Sequence, residues 1–265
     1  MTQFGDFPDL SVDVESYVAT VEIQRPPHNY FSLGLIQSIS SAFEALDEEP
    51  QCRAIVLASQ GKSFCAGAQL GDAPADRDAP PPGGPRGRSH LYYEAVRMFR
   101  TETPFIAAAQ GAAIGGGLGL AMAADFRVAC PESRFASNFA RLGFHHGFGL
   151  TVLLPDIIGR QSAADMLLTG RRVRGEEARE LGLCDRLVPQ EDLRATATEM
   201  AAEIAASAPL AVRSIRRTLR QGLADRIREA TDHEQVEQDW LRRTDDFREG
   251  VRANAERRLP DFVGH

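Results

Sequence analysis

Two glycine-rich stretches and one histidine pair carry the residues of this chain that could do chemistry. GKSFCAGAQL (61–70) follows a short apolar run, and PFIAAAQGAAIGGGLGLAMAAD (104–125) leads through a glycine triplet into a helical pattern. Gly67, Ala68, Gly115, Gly116 and Gly117 have little or no side chain, so backbone there can approach a ligand closely. A glycine-rich strand-to-helix turn also leaves N–H groups free at a helix N-terminus, where the dipole favours negative charge. Taken alone, the triplet reads equally well as a tight turn with close helix packing. A third stretch, LGFHHGFG (142–149), sets His145 beside His146, with Asp156 ten residues beyond. Imidazole is suited to acid–base work near neutral pH, and a carboxylate can orient it. The plain alternative is a polar loop histidine packed on Phe144 or facing solvent.

The elements that must position these residues follow from periodicity. Tyr17 to Ile23 alternates as a strand with Tyr17, Ala19, Val21 and Ile23 on one face. Ser32 is placed to cap a helix to about Asp47, with Leu35, Ile36, Ile39, Phe43 and Leu46 at helical spacing. Short buried strands are expected at Ala54–Ser59 and Phe105–Ala109, with others near 126–129 and 134–136. A helix is expected over about 89–100. Residues 72–88 are rich in Pro, Gly and Asp without periodicity and read as a mobile loop. Strands alternating with helices to about 188 imply an α/β core with a largely parallel sheet. From Asp192 the pattern is purely helical. The expected division is a core over 1–191 and a helical oligomerisation region over 192–265.

Composition narrows the classes. The net charge of −7 argues against nucleic acid as the main partner. No apolar run approaches the ~20 residues of a membrane span, and the N-terminal MTQFGDFPDL lacks the regions of a signal peptide. Cys52, Cys65, Cys130 and Cys184 form no CxxC pair and no metal-ligand cluster, so they read as reduced thiols of a cytoplasmic protein without a metal. Lys62 is the only lysine, so side-chain contacts to phosphate are expected from arginine.

The paired segments 61–70 and 104–125 resemble those of the crotonase (enoyl-CoA hydratase/isomerase) superfamily. RPPHNYFS (25–32), LLTGRRVRGEEARELGLCDRLVP (167–189) and REGVRANAERRLPDF (248–262) extend the likeness in the same order along nearly the whole chain. The resemblance implies an α/β spiral of repeated ββα units with a C-terminal helical region. It implies an acyl-coenzyme A substrate, with coenzyme A part of the substrate rather than a separate cofactor. It also implies a homotrimer or homohexamer. By the same carry-over, the N–H groups of Ala68 and Gly116 point at the thioester carbonyl and stabilise an enolate or oxyanion. One such donor can be worth ~3 kcal/mol. Coenzyme A is expected along Arg25 to Phe31 and Phe64 to Ala68, Ala66 included. Arg25 is a candidate phosphate contact, and Arg257, Arg258 and Phe262 stand where the family often places C-terminal contacts.

The resemblance breaks where the hydratases carry two glutamates. Those positions hold Gly119 and Phe139 here. Neither can activate water or deliver a proton. His145 and His146 fall in the loop that borders the acyl site and are the candidate replacements, with Asp156 to orient one of them. Glu94, Asp72 and Tyr92 are weaker candidates, Met98 and Phe99 read as core or acyl-pocket lining, and Asp125 reads as structural. Three functions stay open: an acyl-CoA enzyme working through a thioester enolate, a histidine-dependent thioester or C–C bond hydrolase, and a non-catalytic acyl-CoA-binding homologue.

Overall fold

The structure, a computed structural model, describes residues 4–68 and 91–265. The expected loop at 72–88, with Asp72, lies outside the described residues.

Strands β1 (Leu10–Glu15) and β2 (Val18–Ile23) form a hairpin. Helix α1 (Leu33–Asp47) precedes β3 (Ala54–Ser59), and α2 (Leu91–Arg100) precedes β4 (Phe105–Ala109). Next come β5 (Ala112–Ile114), α3 (Gly116–Met122), β6 (Phe126–Ala129), β7 (Arg134–Ala136) and α4 (Leu150–Thr169). After β8 (Arg172–Arg174), α5 (Gly175–Leu181) and β9 (Arg186–Leu187), four helices finish the chain: α6 (Leu193–Ala205), α7 (Pro209–Leu219), α8 (Leu223–Leu241) and α9 (Asp245–Glu256). The larger sheet has the order β1-β2-β3-β4-β6-β9 and is parallel from β2 onward, with β1 antiparallel at its edge. The smaller sheet has the order β5-β7-β8. Successive ββα units, β4–β5–α3 and β6–β7–α4, therefore send one strand to each sheet, which is the expected spiral α/β architecture.

Every residue of β3 and β4 is buried, as a parallel strand covered on both faces requires. Alternation divides them. Ile55, Leu57, Phe105 and Ala107 join α1 and α2 in one core, while Ala54, Val56, Ala58, Ile106 and Ala108 face the other way. The second face is closed by Leu193, Ala197, Ala201 and Ala205 at one-turn spacing along α6. Small side chains there let the helix lie close on the sheet. Asp125 ties three elements together: its carboxylate accepts from the Phe105 N–H at 2.9 Å, from Arg216 Nε at 2.8 Å and from Arg220 Nη1 at 3.2 Å.

Local chemistry explains where the elements begin. Ser32 Oγ accepts the Leu35 N–H at 3.2 Å and caps α1 as expected. Tyr17, expected in the strand, sits instead in the β1–β2 turn with φ 67°, its ring stacked under the Arg53 guanidinium at 3.6 Å. Strand β1 was not expected. Its LSVDVE carries two acidic side chains and only an imperfect alternation. Among the described residues no helix is long and apolar enough to cross a membrane.

Candidate active site

The two glycine-rich stretches meet. Residues 65–68 run as an extended segment between Phe31 on one side and Ala112–Ile114 on the other. The Phe31 N–H donates to the Gly67 carbonyl at 2.8 Å, the Cys65 N–H to Ala112 at 2.9 Å and the Ile114 N–H to Cys65 at 3.0 Å. In the parallel bridge of Phe31 with Ala68, the Ala68 N–H is turned away from Phe31. Gly67 has φ 84°, and a Cβ there would stand 2.8 Å from the Ile114 carbonyl oxygen. A Cβ on Gly117 would stand 2.1 Å from the Cys65 carbonyl oxygen, so the start of α3 can lie against this segment only as glycine. Gly116 is the first residue of α3, where an N–H has no partner within the helix. Neither the Ala68 N–H nor the Gly116 N–H donates to any other described residue.

Both residues line a cleft of about 1310 Å³. Its walls bring together Ala66, Ala68, Gly116, the turn His28–Phe31 and the chain's own tail, including Arg257 and Arg258. Seven cationic side chains line it: Lys62, Arg134, Arg141, Arg172, Arg242, Arg257 and Arg258. Among its described lining residues there is no Asp or Glu. In a protein of net charge −7 that segregation makes the cleft a focus for an anion. Glu249, just outside, holds the tail in place by accepting from Arg258 and from the Asp261 N–H at 3.0 Å.

Beyond the two backbone donors the walls become aromatic. The Phe31 ring lies against Gly116, where a Cβ would come within 3.0 Å of Cδ1. Phe31 packs on Phe148 at 5.7 Å between centroids, and Phe148 packs on Tyr92 at 6.2 Å. On the opposite side Phe139 lies 3.6 Å from the space beside Gly115 and stacks edge-on with Phe144 at 5.2 Å. Phe148 also fills the space above Gly119, where a Cβ would be 2.4 Å from its Cγ. Position 119 can therefore take no side chain unless that ring moves. Phe148 is fully buried and has φ 64°, a left-handed conformation unusual for a bulky residue.

Helix α8 clasps the loop that carries this ring. Glu234 accepts the Gly149 N–H at 2.9 Å and the Thr151 hydroxyl at 3.1 Å, which places a carboxylate at the N-terminus of α4. Burial pushes the Glu234 carboxyl up, opposed by those two donors. One turn on, Gln238 Nε2 donates to the His145 and His146 carbonyls at 2.9 and 3.0 Å. Glu234, Gln238, Arg242 and Phe148 were all missed by sequence reasoning. The i, i+4, i+8 spacing of the first three was the available signal, hidden in a helix whose polar residues read as a solvated face.

The remaining predicted residues lie elsewhere. His145 and His146 do not line the cleft. His146 is buried against Phe139 at 5.5 Å, with Nδ1 2.8 Å from the Ser137 hydroxyl. His145 Nδ1 lies 3.1 Å from the His146 carbonyl. The expected His–Asp pairing is not formed, because Asp156 is held by Arg226 at 2.9 Å. Glu94 pairs with Arg97 at 2.7 Å. Arg25 is turned into its own loop, donating to the Tyr30 carbonyl at 3.2 Å and to Ser32 Oγ at 2.7 Å, with Asp9 at 3.6 Å, and it does not line the cleft. Phe262 is 40% exposed and also lies off the cleft, unlike Arg257 and Arg258. Met98 and Phe99 are buried in the core.

Comparison with known proteins agrees with this architecture. Residues 13–265 match the sequence profile of the enoyl-CoA hydratase/isomerase family. An enoyl-CoA hydratase of Mycobacterium tuberculosis is 33% identical over 262 residues, covering 96% of each chain. A 4-chlorobenzoyl coenzyme A dehalogenase of an Arthrobacter species is 31% identical over 235 residues, covering 85% of this chain and 82% of its own. A crystal structure of an enoyl-CoA hydratase/isomerase from Pseudoalteromonas atlantica T6c superposes with a TM-score of 0.83 at 27% identity, covering 96% of this chain and 100% of its own. The chain belongs to the enoyl-CoA hydratase/isomerase family and has the crotonase fold.

The burial of His146 has a consequence for stability. Desolvation, helped by the neighbouring His145, pushes its imidazole down from 6.5 to about 4. Unfolded protein therefore binds the proton more tightly, so the stability that this neutral ring contributes is present above pH 6.5 and is lost as pH falls towards 4. The full swing is on the order of 3 kcal/mol. Urea midpoints measured between pH 4 and 7 are expected to fall less steeply for His146→Gln than for the wild type. Parallel curves would place His146 in a solvated setting.

Proposed function

We propose that this protein is an enzyme acting on an acyl-CoA thioester whose carbonyl oxygen is received by the N–H groups of Ala68 and Gly116. The observation that carries this reading is the presence of two backbone donors, without acceptors among the described residues, on residues that line one cleft. Such donors are already oriented, so they stabilise the charge of an enolate or tetrahedral oxyanion without reorganising, each worth ~3 kcal/mol. The cationic walls suit the phosphates of coenzyme A, with Arg257 and Arg258 on the tail side and Ala66 beside the His28–Phe31 turn. Coenzyme A enters as part of the substrate, and no metal is assigned a role.

We read the protein as a poor hydratase. The family resemblance puts the hydratase glutamates at Gly119 and Phe139, and the Phe148 ring occupies the space that a side chain at 119 would need. Losing one acid–base group commonly costs ~10²–10⁴ in rate. A second reading, histidine-dependent hydrolysis, draws on the 2.8 Å Ser137–His146 pair. It requires Phe139, on which the imidazole packs, to move aside.

The test pairs two substitutions at one position. Gly116→Pro removes the N–H yet suits the first position of a helix, whereas Gly116→Ala keeps the N–H and makes the same contact with Phe31. Acyl-CoA is expected to bind the wild type and the alanine variant more tightly than free CoA, and the proline variant is expected to lose that preference. Equal affinity of the wild type for CoA and acyl-CoA would sink the oxyanion reading. In the same preparations crotonyl-CoA hydration is expected to be at least ~10²-fold slower than in a relative with both glutamates. Rapid hydration would overturn the hydratase argument, and steady release of free CoA abolished by His146→Ala would favour hydrolysis.

We also propose a trimer or a dimer of trimers. Ile215 and Leu219 on α7 are 60% and 81% exposed, and Val236 and Trp240 on α8 are 63% and 53% exposed, each pair one turn apart. Paired apolar side chains on open helix faces favour a covering partner. Light scattering should give three or six times the 28.9 kDa chain mass. A monomer at micromolar concentration would contradict this.

A further inference from the structure

Among the aromatic residues lining the cleft stands a cation that makes no ion pair with any described carboxylate. Arg242, which caps the C-terminus of α8, lines the cleft together with Tyr92, Gln238, Phe139 and Phe144. Its guanidinium carbon lies 5.1 Å from the centre of the Phe144 ring, and Nη2 donates to Gln238 Oε1 at 3.0 Å. Its Nε is buried and makes no hydrogen bond. Among the described residues no Asp or Glu comes within ion-pair distance of it, whereas Arg258 in the same cleft is held by both Glu249 and Glu256. Stacking on Phe144 and bonding to Gln238 would satisfy a purely structural role, but they leave most of the five donors of the guanidinium unused.

Position gives this cation its meaning. Contacts run from Gly116 to Phe31, from Phe31 to the buried Phe148, from Phe148 to Tyr92 and from Gln238 to Arg242, and all of these except Phe148 line the cleft. From Arg242 the contacts return through Phe144 and Phe139 to Gly115, and these residues also line the cleft. Arg242 is the one cation in this circuit of contacts, which begins and ends beside Gly116, the residue proposed to hold the thioester carbonyl. Tyr92 lines the same cleft. Burial pushes its hydroxyl up to about 12, opposed by a hydrogen bond with Gln238, so it stays neutral at physiological pH. A partly buried cation facing an aromatic enclosure is costly unless an anion meets it. A planar guanidinium pairs best with a carboxylate.

We propose that the substrate's acyl part carries a second carboxylate, making it a monothioester of a dicarboxylic acid, and that Arg242 binds this carboxylate. The proposal rests on the reading of the cleft as an acyl-CoA site. It assigns Arg242 to substrate selection and gives it no part in proton transfer.

Equilibrium binding of succinyl-CoA, butyryl-CoA and free CoA to the full chain, at fixed ionic strength, tests it. Succinyl-CoA is expected to bind the wild type ~10-fold or more tightly than butyryl-CoA, the scale of a charge-assisted hydrogen bond. Arg242→Met should bring that ratio close to one, and Arg242→Lys should retain part of it. A diffuse attraction from the other cationic side chains would survive in the methionine variant, so an unchanged ratio there overturns the proposal. A wild-type ratio near one overturns it too, whether or not the methionine variant folds. If neither thioester binds more tightly than free CoA, the acyl-CoA reading itself fails and takes the subsite with it.

Discussion

The close approach of two backbone segments is the constraint on which the rest of this structure depends. Residues 65–68 lie between Phe31 and Ala112–Ile114, and the start of α3 lies against them because Gly67 and Gly117 present no Cβ. That contact is set deep in the fold. The strands β3 and β4, which lead into the two segments, are neighbours in the large sheet with Ile55 opposite Phe105. The sheet's outer face is sealed by α6, and its far end is tied by Asp125 to Arg216 and Arg220. A fully buried parallel sheet is a rigid base, and two N–H groups fixed to such a base need not move when charge develops in front of them.

Cationic and aromatic side chains share the cleft that these donor residues line. An acidic protein has gathered seven cations and no described carboxylate around it. Phe31, Phe139 and Phe144 also line it, and the buried Phe148 packs on Phe31. Helix α8 serves both groups. Glu234 and Gln238 fix the loop that carries Phe148, and Arg242 one turn later lines the cleft. The left-handed conformation of Phe148 costs of order 1–3 kcal/mol and persists only where surrounding structure imposes it. The clasp from Glu234 and Gln238 supplies that restraint, and Gly119 supplies the space.

Much of this was legible in the sequence, and what was legible shares a cause. Strands β3 and β4 are buried on both faces, and α1 has one apolar face and a serine cap, so local pattern and tertiary environment agree. The meeting of residues 65–68 with 112–117 was readable through the family resemblance, since the glycine triplet alone fits a tight turn equally well. The placing of the histidines was not legible, because burial of His146 beside Phe139 and Ser137, off the cleft lining, is decided by tertiary packing. Asp156 was drawn to Arg226 for the same reason. Arg25 looked like a phosphate contact, but its Nη1 is turned to Tyr30 and Ser32 within its own turn, and the residue does not line the cleft. Phe148 and the α8 clasp were invisible because a ring filling the space above a glycine leaves no periodic trace.

The central claim is that Ala68 and Gly116 polarise a thioester carbonyl, and vibrational spectroscopy observes that bond directly. Difference infrared spectra of an acyl-CoA carrying a ¹³C-labelled thioester carbonyl would be recorded free in solution and bound to the protein. Two charge-oriented N–H donors weaken the C=O bond, so the account predicts a clear shift of the carbonyl stretch to lower frequency on binding, lost in Gly116→Pro and kept in Gly116→Ala. A bound carbonyl that absorbs at or above its frequency in water would contradict it.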